Sequence, residues 1–358
     1  FYTFDIPKDG GGTPQRHRSA GLRDIAFDPN FASNRYIYVF YMKNNPRQNR
    51  VVRIRASATN PDIAEANSET LLLDLPFNSS GASGSHNGGG VEFGGDGKLY
   101  ITTGDGWSGG DPVQQLNTFT GKLLRINPDG SIPTDNPFYN QAAGSYRSIY
   151  CIGLRNPFSL SVNPASGILY VNDAVGSDKA TIFRVESAAN FGHQGYGGLG
   201  VSRGAWANAS PGGELLITGG ALYPAGGSFP AQYHGVYFTA MWGANGANGG
   251  PPGDITYIAS ESNTSAQSFA AAVGVVDDAG QRLKPVNLRV GTDNNLYYMM
   301  TNYETGSGAV HRIRWTGAAS VATPIISPAG GTFAAAVQVN VSTATFGANI
   351  YYTTDGSE

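Results

Sequence analysis

Apolar and polar residues alternate with a period of two along most of this chain. The alternating runs are short and are separated by Gly, Pro, Asp and Asn, the residues that turns require. One unit recurs: an apolar run, a polar turn, an aromatic-rich run, then a run mixing basic and apolar residues. It reads as IAFDPNFASNRYIYVFYM then RVVRIRA, as VEFGGDGKLYITTGD then GKLLRINPDG, and as LSVNPASGILYVNDA then TIFRVES. It returns as GVYFTAMW then DITYIAS, and as NLRVGTDNNLYYMMTN then AVHRIRW. Copies spaced about 40–70 residues apart predict the blades of a β-propeller, because a β-sandwich of this length has no need to repeat the pattern. Helical periodicity is confined to short turns at Asp62–Asn67 and Ser187–Asn190.

The densest of these units runs from His86 to Gly106, HNGGGVEFGGDGKLYITTGDG. Val91–Phe93 and Leu99–Thr103 alternate as strands, and Gly94–Lys98 supplies a tight turn between them. The hairpin therefore brings His86 and Asp105 to the same edge of a sheet. A neutral histidine held by a carboxylate is the usual arrangement for a general base.

Past Thr323 the texture changes. ATPIISPAGGTFAAAVQVNVSTATFGANIYYTTDGSE is free of Lys, Arg and His and rich in Thr, Ala and Val. The chain divides on this reading into residues 1–317 and a small β module at 323–358, with Thr316–Ala322 as the linker. The module is expected to be a truncated β-sandwich, too short in strands to close.

Composition narrows the function. Charged residues make up 14% of the 358 positions, and 50 Gly and 20 Pro are scattered without a collagen-like period, as in a folded β protein rather than a disordered one. The net charge of −3 and the lack of any Lys/Arg block exclude nucleic acid or an anionic membrane as the main partner. No apolar run approaches the ~20 residues that span a bilayer. Cys151, the single cysteine, lies in the apolar run IYCIGL and reads as a buried, inert thiol. The chain begins at Phe1 without Met, as when a leader or more has been removed, and no signal peptide remains to be read; the expected location is secreted or periplasmic.

Three further segments carry candidate chemistry. GLRNP puts Arg155 and Asn156 just ahead of a strand, where a planar guanidinium grips a carboxylate or quinone oxygen with two donors. VQQLNTFTGKLLRINPDG brings Gln114, Lys122 and Arg125, and NDAVGSD offers acidic and backbone oxygens of the kind calcium accepts. Each motif alone is commonly structural: a histidine beside glycines, an Arg-Asn pair at a rim, a DGK turn. Their joint occurrence on successive blades, whose loops converge on one funnel, is the argument for a site.

HNGGGVEFGGDGKLYITTGDG, GKLLRINPDGSIPTDNPF and IYCIGLRNPFSLSVNPASGILYVNDA together resemble the glucose/sorbosone dehydrogenase family, the soluble quinoprotein sugar dehydrogenases. GLRDIAFDPNF and GGALYPAGGSFPAQYHGVYFTAMW are similar to further stations of it, so that residues 15–315 follow the family in order. The segment Pro324–Glu358, ending YYTTDGSE, resembles the start of the chitobiase C-terminal type of immunoglobulin-like module, common on secreted polysaccharide-active bacterial proteins. The resemblance implies an all-β, six-bladed propeller binding pyrroloquinoline quinone (PQQ) in its funnel, with Ca²⁺ bridging protein and cofactor. It places the catalytic histidine at His86, the acid that orients it at Asp105, and the cofactor-gripping pair at Arg155 and Asn156. Gln114 and Lys284 fall on further cofactor-binding stations, and main-chain carbonyls of Val175 and Gly176, in the loop Ala174–Asp178, on the calcium site. Ser19 and His193 depart from the family, the latter standing where an aromatic residue is usual.

The resemblance implies a reaction. His86 removes the hydroxyl proton at the anomeric carbon of an aldose, hydride passes to the quinone with Arg155 stabilising the developing negative oxygen, and a lactone results. The electrons leave to an external acceptor, and the C-terminal module implies association with polysaccharide. The alternative is a non-catalytic propeller that binds carbohydrate or protein. A metal-dependent lactonase would need inward carboxylates, whereas Asp28, Asp96, Asp129 and Asp293 sit in turns.

Overall fold

In a computed structural model of the protein, the described residues are 1–4, 21–43, 46, 48–76, 86–108, 111–175, 180–193, 205–209, 215–243, 254–259, 267–271, 284–302, 307–315 and 323–343. They are almost entirely β. The first sheet is β1 (Leu22–Phe27), β2 (Tyr36–Lys43), β3 (Gln48–Arg55) and β4 (Thr70–Leu75). The second is β5 (Val91–Phe93), β6 (Leu99–Thr102), β7 (Lys122–Ile126) and β8 (Ile149–Ile152). The third is β9 (Pro157–Val162), β10 (Leu169–Asp173), β11 (Ala180–Arg184) and β12 (Ala205–Ala209). The fourth is β13 (Leu215–Leu222), β14 (Tyr237–Gly243), β15 (Asp254–Ile258) and β16 (Gln267–Ala271), followed by three strands, β17 (Lys284–Val290), β18 (Leu296–Asn302) and β19 (Ser307–Ile313).

Each sheet is an antiparallel meander whose strands lie side by side in chain order. The five recurrences in the sequence are therefore five blade-type sheets among the described residues. The first strands line up next to one another, β1 against β5, β5 against β9, β9 against β13 and β13 against β17. A sixth blade is not among the described elements.

Aromatic and β-branched residues explain which strands lie innermost in the packing. β2, YIYVFYMK, is buried along both faces, with Tyr38, Phe40 and Met42 wholly enclosed. The Tyr38 hydroxyl reaches Asp28 Oδ2 at 2.9 Å, and with the Arg53 guanidinium it donates to the Pro128 carbonyl, joining the first sheet to the second. The β5–β6 hairpin forms in the register the sequence predicts, Val91 opposite Ile101 and Phe93 opposite Leu99, with Gly97 at φ 71° in the turn. Cys151 is fully buried, and burial pushes its thiol well above the ordinary range.

Where the first strands converge, charge replaces apolar packing. Arg289 of β17 donates to Asp24 Oδ2 of β1 at 3.0 Å and to the Leu160 carbonyl of β9 at 2.9 Å, and lies 3.9 Å from Glu92 of β5. One guanidinium thus bridges four sheets. Burial pushes the Asp24 and Glu92 carboxyls above the ordinary range, against the pull of Arg289.

The chain divides into two compact units, Phe1–Ile313 and Arg314–Glu358. In the second unit the described strands are β20 (Ile325–Ser327) and β21 (Asn340–Ser342), paired antiparallel.

Removing the cation from a buried pair leaves an uncompensated carboxylate, so Arg289→Met is expected to cost about 3 kcal/mol of unfolding free energy at neutral pH. Burial raises both carboxyls, so their protonation on acidification relieves that charge and the deficit should shrink as the pH falls. Urea melts at several pH values check both the size and the direction.

Candidate active site

His86 is followed by Asn87 and the three glycines that lead into β5, and sits in the left-handed region at φ 53°. The three glycines that follow let the backbone pass through a space with no room for side chains. A Cβ at Gly88, whose φ is 82°, would lie 2.6 Å from Thr103 Cα, and one at Gly90 would lie 2.7 Å from the Leu160 nitrogen of β9. The close approach of β5 to β9 brings the start of one inner strand beside the start of the next. Asp105 N accordingly donates to the Arg155 carbonyl at 2.7 Å.

His86 Nδ1 is 2.7 Å from Asp105 Oδ1, and both side chains are buried. Asp105 Oδ1 also accepts the Trp107 amide at 3.0 Å, and Oδ2 lies 2.7 Å from His193 Nε2. Burial alone would raise the Asp105 carboxyl; hydrogen bonds from His193, His86 and the Trp107 amide outweigh it and hold the group well below the ordinary carboxylate range. An ionised carboxylate only accepts, so each ring presents an N–H to it. His86 therefore turns an Nδ1–H to Asp105, which in the neutral ring leaves the lone pair on Nε2.

Trp107, 61% exposed, stacks on His86 with ring centroids 4.2 Å apart and planes 21° apart. The Arg155 guanidinium lies 5.6 Å from the Trp107 ring centroid and donates through Nη1 to the Ala174 carbonyl at 2.8 Å. Its buried Nε has no protein partner among the described residues. The turn that carries Arg155 is pinned by Asp173 at the end of β10, whose two oxygens accept the amides of Arg155 at 2.9 Å and Asn156 at 2.7 Å. Burial pushes the Asp173 carboxyl up to about 6 despite those two amides.

His86, Asp105, Arg155 and Asn156 therefore meet at one place. Gln114 ends a one-turn helix, Asp111–Gln114, and its amide is exchanged with that of Asn190 in two hydrogen bonds of 3.3 and 2.6 Å. Lys122 is buried away from solvent, its Nζ donating to the carbonyls of Pro112, Val113 and Thr120. It clamps the loop that holds Gln114, and burial lowers its ammonium to about 7. Arg125 lies at the far end of β7, paired with Asp96 and Asp135, and takes no part in the site. Lys284 opens β17 opposite Thr301. Val175 follows the Asp173 turn, while Gly176 and Ser19 lie outside the described residues.

Sequence reasoning passed over Trp107, Asp173 and the role of His193. The aromatic directly after GDG was the signal for the first. Nothing local marks Asp173 as the cap of a turn 17 residues earlier. As for a cofactor, a planar, acidic quinone suits the donor set present: a guanidinium edge with an unpartnered buried Nε beside an exposed aromatic face. Among the described residues no group of three or more His, Cys, Asp or Glu could hold a metal ion.

Because its carboxyl is raised, the native state of Asp173 binds a proton that the unfolded chain has already released, and stability falls as pH rises through about 6. Asp173→Asn is expected to remove this component. The wild-type-minus-variant difference in unfolding free energy should then drop by about 3 kcal/mol between roughly pH 4 and pH 7, measurable by urea melts of both proteins.

The sequence profile of the Glucose / Sorbosone dehydrogenase family matches residues 10–197, and that of the Chitobiase/beta-hexosaminidase C-terminal domain matches residues 328–358. Aldose sugar dehydrogenase YliI of Escherichia coli is 30% identical over 171 residues, 48% of this chain and 45% of that protein. Quinoprotein glucose dehydrogenase B of Acinetobacter calcoaceticus is 32% identical over 183 residues, 44% of this chain and 36% of that one. The chain thus spans less than half the length of these curated relatives in the matched region. The PQQ-bound form of aldose sugar dehydrogenase from Streptomyces coelicolor superposes with a TM-score of 0.59 over 82% of this chain and 79% of that one, at 21% identity, a likeness of fold. With the profile covering more than half of its length, on the blades that bring His86, Asp105 and Arg155 together, the chain belongs to the glucose/sorbosone dehydrogenase family.

Proposed function

We propose that this protein is a PQQ-dependent aldose dehydrogenase that oxidises the anomeric carbon of a sugar to the lactone and passes the electrons to an external acceptor. The observation that carries the reading is the His86–Asp105 pair at 2.7 Å, with His86 Nε2 left bare beside the Trp107 ring and the Arg155 guanidinium. The names of the relatives support the substrate class, and membership of the family supports the cofactor.

In this reading the bound quinone supplies the two-electron acceptor for the hydride on the sugar's C1. The chain's own residues do the rest. His86 Nε2 takes the C1 hydroxyl proton, and the ionised Asp105 stabilises the imidazolium that forms. The exposed face of Trp107 gives the apolar face of a sugar ring a surface to lie against. Arg155 and Asn156, held by Asp173, would grip the cofactor, with Gln114 and Lys284 as further contacts. Calcium would sit at the carbonyls of Val175 and Gly176.

Residues 1–317 would form the catalytic unit of six blades. The module at 323–358 would be the immunoglobulin-like part that associates with polysaccharide, in a secreted or periplasmic protein. Among the described residues no helix is long and apolar enough to cross a membrane.

The decisive experiment adds PQQ and Ca²⁺ to the purified chain and offers a panel of aldoses with a redox dye. Cofactor absorption and dye reduction are expected, and His86→Ala should lower kcat by about 10²–10⁴-fold. With neither absorption nor dye reduction, the dehydrogenase reading gives way to a non-catalytic binding propeller. Dye reduction undiminished in His86→Ala would overturn the assignment of the base.

A further inference from the structure

One ring in the site has no task in the chemistry above. His193 is 2% exposed, and its Nε2 lies 2.7 Å from Asp105 Oδ2, on the oxygen that His86 does not use. The chain goes to some length to put it there. Phe191 N donates to the Ile152 carbonyl at 2.9 Å and His193 N to the Gly153 carbonyl at 3.0 Å, so the segment is laced to the end of β8. Gly192 turns the chain at φ 79° with its amide on Asn190 Oδ1, and His193 itself is held at φ 26°, a conformation that costs a non-glycine residue energy unless its surroundings enforce it.

The consequence is a carboxylate clamped from both sides. A carboxylate hydrogen-bonded through one oxygen can swing about its Cβ–Cγ bond, and its partner ring swings with it. Asp105 receives a ring N–H on each oxygen and the Trp107 amide on Oδ1, so its plane is set. Among the described residues the other charged groups facing this cluster are Arg155, whose guanidinium lies over Trp107, and Asp173, which the like charge of Asp105 repels. Lys122, on the adjacent β7, turns its ammonium to main-chain carbonyls instead.

We propose that His193 is a positioning residue of this active site: its Nε2–H fixes Asp105 ionised and in plane, so that His86 keeps its proton on Nδ1 and presents a bare Nε2. The proposal rests on His86 as the base for its meaning in catalysis, but its geometry is tested without cofactor or substrate. A protein that oxidised no sugar would still give the structural result.

The test is nuclear magnetic resonance of the apo protein with ¹⁵N-labelled histidine and ¹³C-labelled aspartate. In the wild type, His193 should carry its proton on Nε2 and His86 on Nδ1, with Asp105 ionised down to the lowest pH at which the fold survives. His193→Phe keeps an aromatic ring and removes the donor. It should raise the midpoint of the Asp105 carboxyl signal by about one pH unit or more and mix the two tautomers of His86. His193→Gln places an amide N–H near the same point and should restore both signatures. The proposal is overturned if wild-type His193 carries its proton on Nδ1, or if the Phe variant leaves the Asp105 and His86 signals unchanged. It is equally overturned if Gln fails to restore them. Should the Phe variant not fold, the wild-type tautomers and the Gln variant decide. In the loaded enzyme His193→Phe should lower kcat more than it changes KM, and His193→Gln should bring kcat back.

Discussion

The close approach of neighbouring inner strands governs this molecule. β5 passes β9 with glycine backbone where any Cβ would collide, at Gly89 against the Phe158 carbonyl and at Gly90 against the Leu160 nitrogen. Removing side chains from that seam costs local packing and conformational entropy. The segment just past β6 lies within hydrogen-bonding distance of the turn before β9, as the Asp105 amide on the Arg155 carbonyl records. A propeller built on bulkier inner strands would hold the same residues too far apart to act on one molecule.

Four carboxylates removed wholly or largely from solvent meet different fates, and their partners decide each. Asp105 has two ring donors and an amide, and is held low. Asp173 has two amides and faces the charge of Asp105, which leaves burial ahead. Asp24 and Glu92 share one guanidinium, and burial wins there as well. The residue proposed to support the base is thus ionised, while the one that pins the Arg155 turn holds its proton into mildly acidic solution. Asp105 and Asp173 are tuned in opposite directions by the donors each receives and, for Asp173, by the charge of Asp105 as well.

The division of labour follows from this. His86, Trp107 and Arg155 supply the surfaces that substrate and cofactor would touch. Asp105, Asp173 and Lys122 are buried and point at backbone or at other side chains, so their work is orientation. Such support suits a reaction in which a cofactor carries the redox step and the protein supplies position and field.

Much of this was legible along the chain. A period of two, with turn residues between runs, specified β-strands, because side chains of a strand alternate between faces wherever the strand lies. The GGDGK turn determined the β5–β6 hairpin and hence that His86 and Asp105 share an edge. Pairings across large separations were not legible: Arg289 on Asp24, Asp173 beneath Arg155, and His193 on Asp105 are decided by how separate sheets pack. A local pattern reports only the burial and twist of its own strand. Which carboxylate oxygen meets which ring depends on the distance between blades, and only the tertiary structure sets that.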